Sequence, residues 1–159
     1  MTTDSETKFA LPEGLPAPAP DVDGLGAEYW EATQRHELLV QRCNACQNWQ
    51  WGPEHICHNC HSFDLGYEQV EPTGVIYSWE RVWYPVHPAL AMGLPYMTVL
   101  VELPQAGNIR MVGNFVGQDP EESVEIGQQV QAVFEDHGEG DDAFTLVQWS
   151  PFAPPSGVG

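Results

Sequence analysis

Four cysteines stand in "QRCNACQNWQWGPEHICHNCHS" as two Cys-x-x-Cys pairs, Cys43/Cys46 and Cys57/Cys60, with ten residues between the pairs. Each pair can form a turn that aims two thiolates at one point, and two such turns complete a tetrahedral S₄ site. Four protein thiolates saturate a tetrahedral ion and leave no position for water or substrate, so the chemistry expected here is structural. Zinc is the expected ion, one per chain. Iron in the same four-sulfur cage is the rival and would make the chain a rubredoxin-like electron carrier. A thioredoxin-like dithiol wants one pair at a helix start, not two pairs in a hairpin. His55, His58 and His61 flank the cysteines and are expected beside the site or facing solvent.

Other reacting constellations are missing from the sequence. It has no further cysteine, no Gly-x-Ser-x-Gly, no phosphate loop and no dinucleotide fingerprint. His87 and His137 stand alone in loops, without an evident Ser, Cys or carboxylate partner in a catalytic arrangement. Charge narrows the partners. Against 23 acidic residues stand five basic ones, Lys8, Arg35, Arg42, Arg81 and Arg110, which nowhere cluster. A formal net charge of −18 repels phosphates, so neither nucleic acid nor an anionic membrane is an expected partner, and a polyphosphate cofactor could not be held unaided. The acidic run from Asp119 to Asp142, nine carboxylates without a basic residue, reads as solvated turns. No stretch approaches a membrane span, and "MTTDSETKFALPEG" lacks the basic and apolar regions of a secretory signal, so a cytoplasmic protein with reduced thiols is expected.

The elements that must position the cysteines follow from the flanking patterns. Residues 1–26 form a Pro-rich tail of extended preference. "AEYWEATQRHELLV" predicts a helix from about Glu28 to His36 that leads into the first cysteine turn. Trp49 and Trp51, two apart on a ribbon strand, present one apolar face to the rest of the chain or to another protein. Helix and ribbon together occupy 27–66. Beyond them the period changes to two: "GVIYSWERVWYPV", "YMTVLVEL", "IRMVGNFVG", "QQVQAVFED" and "AFTLVQW" predict five strands in 67–151, separated by Gly, Pro and Asp turns. Strict alternation in the first would place Val75, Tyr77, Trp79, Arg81 and Trp83 on one side. Five short strands predict a small, nearly closed barrel, with Gly74 and Gly113 at bulges or bends. A tail follows at 152–159. The fold class is thus mostly β. The Pro-rich apolar connection 85–95 is where a small barrel would carry binding, and Trp83, Tyr84, His87, Met92 and Tyr96 are its candidate contacts for substrate or partner, with Trp49 and Trp51.

The stretches "YWEATQRHELLVQRCNACQNWQWGPEHICHNC", "GVIYSWERV", "PYMTVLVELPQAG" and "VGNFVGQDPEESVEIGQQVQAVFED" resemble, in order, a family of small OB-fold proteins with a rubredoxin-like zinc ribbon. The resemblance runs from about Tyr29 to Pro151. It implies a five-stranded OB barrel and an accessory, non-catalytic role beside thiolase-fold enzymes that act on acyl-CoA, of the ketoacyl-CoA thiolase or steroid side-chain aldolase type. It further implies that the barrel helps form or shield the acyl-CoA path; a homodimeric partner, with an equivalent docking surface on each subunit, would then give a heterotetramer. The positions it carries over for zinc are Cys43, Cys46, Cys57 and Cys60. One departure stands out: such ribbons often place Gly after the second cysteine of each pair, where this chain has Gln47 and His61, so the turn either takes a left-handed backbone at a cost or adopts a slightly different geometry. A single-strand nucleic-acid binder, another use of OB barrels, has the aromatics but the wrong charge.

Overall fold

A computed structural model describes residues 15–18 and 24–153. Most of the tail expected over 1–26, and residues 154–159, lie outside the described residues. The described residues form one α-helix and eight strands, with three short 3-10 turns. Helix α1 spans Ala27–Gln34. It ends earlier than expected because His36 takes a left-handed φ of 58°, and the Glu37 N–H turns back to the Ala32 carbonyl at 3.0 Å. The chain then enters β1 (Leu38–Cys43), which pairs antiparallel with β2 (Trp49–Gln50) on one side and β3 (Leu65–Val70) on the other. This three-stranded sheet carries the cysteines at its end.

The second sheet holds β4 (Thr73–Val82), β5 (Tyr96–Leu103), β6 (Ile109–Asn114), β7 (Gln129–His137) and β8 (Phe144–Pro151) in the order β6-β5-β4-β7-β8. Its two outer strands meet at a bridge between Phe115 and Trp149, where the Val116 N–H donates to the Trp149 carbonyl at 2.7 Å. The sheet is therefore the nearly closed five-stranded barrel that an OB fold requires. Inside it lie Ile76, Val99, Val101, Leu103, Met111, Val130 and Trp149, all essentially buried. Leu38 and Val40 of β1 belong to the same cluster, so ribbon and barrel share one core.

Two expectations about β4 and the glycines need correcting. The register slips between Ile76 and Ser78, so Ile76 points inward, the extra residue Tyr77 is 45% exposed, and Trp79 packs against the core. An inserted residue reverses every facing beyond it, which strict alternation could not anticipate. Gly74 and Gly113 mark close approaches instead of bulges. A Cβ at Gly74 would lie 2.5 Å from Val101 Cγ1 and 2.7 Å from the Glu102 carbonyl oxygen; one at Gly113 would lie 2.7 Å from Trp149 Cδ1. Here the missing side chain lets another chain segment press on the backbone.

Candidate metal centre and the charge-free rim

The two cysteine turns are built alike. The Gln47 N–H donates to the Cys43 carbonyl at 2.8 Å, and the His61 N–H to the Cys57 carbonyl at 2.9 Å. The Cys43 N–H reaches the Asn48 carbonyl and the Cys57 N–H the Ser62 carbonyl, both at 2.9 Å. Gln47 and His61 take φ of 63° and 61°, the left-handed conformation required where glycine is lacking. The turns bring Cys43 Sγ within 3.6 Å of Cys60 Sγ, and Cys46 Sγ within 3.6 Å of Cys57 Sγ, with all four sulfurs inside 4.8 Å. A disulfide needs about 2.05 Å. A tetrahedron of Zn–S bonds of about 2.3 Å needs sulfurs about 3.8 Å apart. The cage fits an ion.

The thiols bear the same mark. The Asn59 amide, helped by the Asn48 backbone N–H, holds Cys46 down to about 6. Cys60 receives a hydrogen bond from the Ser62 N–H, yet the neighbouring Cys46 sulfur and burial push it up to about 12. Four thiolates at this spacing repel one another, and a dication is what lets all four ionise together. Bound there, zinc supplies no reactive position, since its coordination is complete.

What holds one turn against the other was not legible from the motif. Gln41 and Gln50 are 2% exposed and face each other, with Gln50 Nε2 donating to Gln41 Oε1 at 2.6 Å. Gln41 also bonds the Glu54 N–H and carbonyl, each at 3.0 Å, and Gln50 Oε1 accepts from the His58 N–H at 3.2 Å. These two amides satisfy the backbone of the segment between the pairs. Two polar residues in otherwise apolar strand positions are the only trace they leave in sequence. His58 sits 3.0 Å from the Asn48 amide, and His55 and His61 are exposed.

The aromatic residues between the pairs turn inward. Trp49 is half-buried, under Arg42 (4.6 Å to the ring centre) and against Gly107 of the β5–β6 turn, where a Cβ would come within 2.9 Å of its ring. Trp51 meets the ring of Tyr29 edge-on at 4.9 Å. Both flank the common core. As contacts for another molecule they are therefore largely used up by packing.

The other candidates gather at the opposite region, the β4–β5 connection. Trp83 is 62% exposed, Tyr84 78% and Met92 94%, and Val86 beside them 81%. Tyr96 is half-buried. His87 is exposed and caps the short turn Pro88–Gly93, its Nδ1 accepting from the Ala89 N–H at 3.2 Å. From Val82 to Val101 the chain carries no charged side chain, although the whole has 28 in 159 residues (5 basic and 23 acidic). The cations nearby are occupied. Arg81 donates to the carbonyls of Pro120, Glu121 and Glu122 at 2.6, 3.2 and 2.7 Å, and Arg110 stacks 3.5 Å over Tyr77 while pairing with Glu102. Met92 and Tyr96 line an open groove of about 520 Å³ whose other wall is Phe115, Val116 and Pro120, residues that sequence reasoning did not single out.

His137 does not stand alone. It ends β7, with Nε2 2.6 Å from Glu135 Oε1 and its ring stacked 4.9 Å from Phe144. A pair two apart on one strand faces one side only once the strand is formed, so nothing in the loop-like "DHGEGDD" announced it. No helix among the described residues is long and apolar enough to cross a membrane.

Comparison with known proteins agrees with this architecture. Residues 30–66 match the family described as ChsH2, rubredoxin-like zinc ribbon domain, and residues 67–135 match ChsH2, C-terminal OB-fold domain. A curated relative from Thermomonospora curvata, called a probable enoyl-CoA hydratase alpha subunit, is 36% identical over 137 residues. That alignment covers 86% of this chain but 40% of the relative, so the chain spans well under half of that protein's length. A solved structure described as Ltp2-ChsH2(DUF35) aldolase is 32% identical, with a TM-score of 0.69 over 85% of this chain and 98% of its own. A DUF35-family protein of unknown function from Sulfolobus solfataricus shares the fold at 14% identity and a TM-score of 0.51, over 69% of this chain and 77% of its own. With both modules matched and the cysteine cage in place, the chain belongs to the ChsH2-type (DUF35) family, a rubredoxin-like zinc ribbon joined to an OB-fold barrel.

Proposed function

We propose that this chain is a non-catalytic subunit that docks on a thiolase-superfamily enzyme, of the ketoacyl-CoA thiolase or steroid side-chain aldolase type, and helps form or shield its acyl-CoA site. The observation that carries this reading is the charge-free segment 82–101 on an otherwise strongly acidic chain, whose part before β5 exposes Trp83, Tyr84, Val86 and Met92. Exposed apolar surface of this kind costs solubility unless a partner covers it. Support comes also from the metal cage, which is coordinatively full and so offers no reaction centre, and from the likeness to a solved aldolase whose description joins Ltp2 with ChsH2. The partner would supply the basic pocket for the nucleotide, because every arginine among the described residues is already engaged. A partner that is itself a two-fold dimer offers two equivalent docking faces, hence a heterotetramer.

The test is co-expression with a thiolase-type or aldolase-type subunit from the same organism, followed by measurement of the complex mass. The expected result is a stable heterotetramer, one zinc per chain, a colourless preparation, and no turnover or CoA affinity from this chain by itself. Turnover by the lone chain would overturn the reading, and a red preparation with iron would favour electron transfer. The curated relative's name favours a second reading, in which the partner is a hydratase; co-expression with each candidate distinguishes the two.

A further inference from the structure

The seam between the barrel's outer strands, β6 and β8, is closed by few bonds. The strands bridge at Phe115 and Trp149, and next to that bridge a side chain stands in for backbone: the Asn114 N–H donates to Gln148 Oε1 at 2.7 Å. Beside the seam lies a cavity of about 230 Å³. Helix α1 supplies its outer wall through Tyr29 and Trp30, whose rings meet edge-on at 5.4 Å. That wall is held in place, because Tyr29 also packs edge-on against Trp51 at 4.9 Å, and Ala32 and Thr33 of the same helix are 0% exposed. Val112 and Leu146 complete the apolar part of the lining.

One polar group at this cavity is left without a partner. Gln148 is 4% exposed, and its oxygen is committed to the Asn114 N–H. The oxygen being fixed there, the orientation of the carboxamide is fixed too, and its NH₂ bonds to no described residue. A buried donor left in this state costs desolvation energy that a ligand acceptor would recover. An acceptor stands on the facing strand. The Asn114 N–H points from β6 toward β8, so by the period of two the Val112 carbonyl points the same way, and no described residue bonds it. Tyr29 is the one ionisable lining residue, and burial pushes its hydroxyl up to about 12, so the lining is uncharged at neutral pH.

We infer that this cavity binds a small neutral aromatic carboxamide. The ring lies against Tyr29 and Trp30, the ligand carbonyl accepts from the Gln148 NH₂, and the ligand NH₂ donates to the Val112 carbonyl. Volume sets the size class: about 230 Å³ is below the range of drug-sized ligands and suits one ring with one substituent. Charge sets the other limit, since an ionised carboxylate would find no counter-charge there on a chain of net charge −18. The site requires neither the docking role nor the metal.

Titration of the full, zinc-loaded, ¹⁵N-labelled chain tests it, followed by nuclear magnetic resonance at the Gln148 side-chain NH₂ and the Trp30 indole N–H. Benzamide should shift both signals saturably, with a dissociation constant of about 1–5 mM, and benzoate should bind at least about tenfold more weakly. Gln148→Glu keeps an acceptor for the Asn114 N–H but removes the donor, and should weaken benzamide by about tenfold or more. Val112→Lys, at a position 67% exposed, sets a cation at the mouth and should reverse the preference toward benzoate; it carries the test alone where Gln148→Glu fails to fold. Unchanged near-ultraviolet dichroism and zinc content identify the folded variants. Absence of saturable shifts up to about 50 mM benzamide, equal binding of benzoate by the parent chain, or shifts confined to the Leu90 and Met92 amides would each overturn the site.

Discussion

The ribbon and the β4–β5 connection are the two aromatic-rich regions of this chain, and they use their aromatics in opposite ways. In the ribbon, Trp49 and Trp51 are folded back onto Gly107 and Tyr29, while Gln41 and Gln50 close the backbone hydrogen bonds and the four sulfurs converge. In the connection, Trp83, Tyr84 and Met92 stand in solvent on a segment where His87 accepts from the Ala89 and Leu90 N–H groups. A ribbon too small to bury a core of its own leans on an ion and on the barrel. The connection, attached to a barrel that is already complete, has no such need, so its apolar surface remains free for another molecule. The difference separates what stabilises the chain from what equips it.

That contrast breaks most visibly at the metal. Cys57→Ser removes a ligand and should lose zinc along with the folded ribbon, because structural zinc sites contribute on the order of 10 kcal/mol of apparent binding energy to folding. Metal analysis and hydrogen exchange of β1–β3 would read both; a variant that stays folded without metal would make the cage dispensable. Next comes Gly113→Val, which drives two methyls into Trp149 and should cost roughly 3 kcal/mol in urea unfolding. Gly74→Ala should cost a similar amount, since the Glu102 carbonyl cannot move away.

Smaller effects sharpen the comparison. Gln47→Gly and His61→Gly relieve left-handed strain and should each raise stability by about 0.5–1 kcal/mol with zinc retained, seen as a higher urea midpoint. Met92→Asp, at a 94% exposed position, should move stability by less than about 0.5 kcal/mol yet weaken assembly with the partner, readable as a right-shifted titration.

A last, weak effect concerns pH. Asp136 accepts from Thr145 Oγ1 and pairs with His36, which holds its carboxyl below the ordinary 3.8. A depressed carboxylate stabilises the fold above its unfolded value, and that stabilisation disappears as pH falls through the folded value. Asp136→Asn should therefore lower the melting temperature slightly at pH 7, the pair being largely solvent-exposed, and the difference from the parent should vanish as pH falls below about 4, flattening the acid side of the profile.

Cysteine spacing, the change from helical to alternating pattern, and the missing glycine after each cysteine pair were all readable because each is a local property, decided within a few residues of chain; that Gln47 and His61 meet it with a left-handed backbone came from the structure. The charge balance was equally readable, since it needs no geometry. Only the tertiary structure could decide the slip at Tyr77, the pressing of Trp149 on Gly113 from 36 residues away, the pairing of Gln41 with Gln50, and the groove between Leu90 and Phe115. Each of these joins surfaces that are distant in sequence. Their contact depends on how the strands register and how the barrel closes, and no short window of residues contains that information.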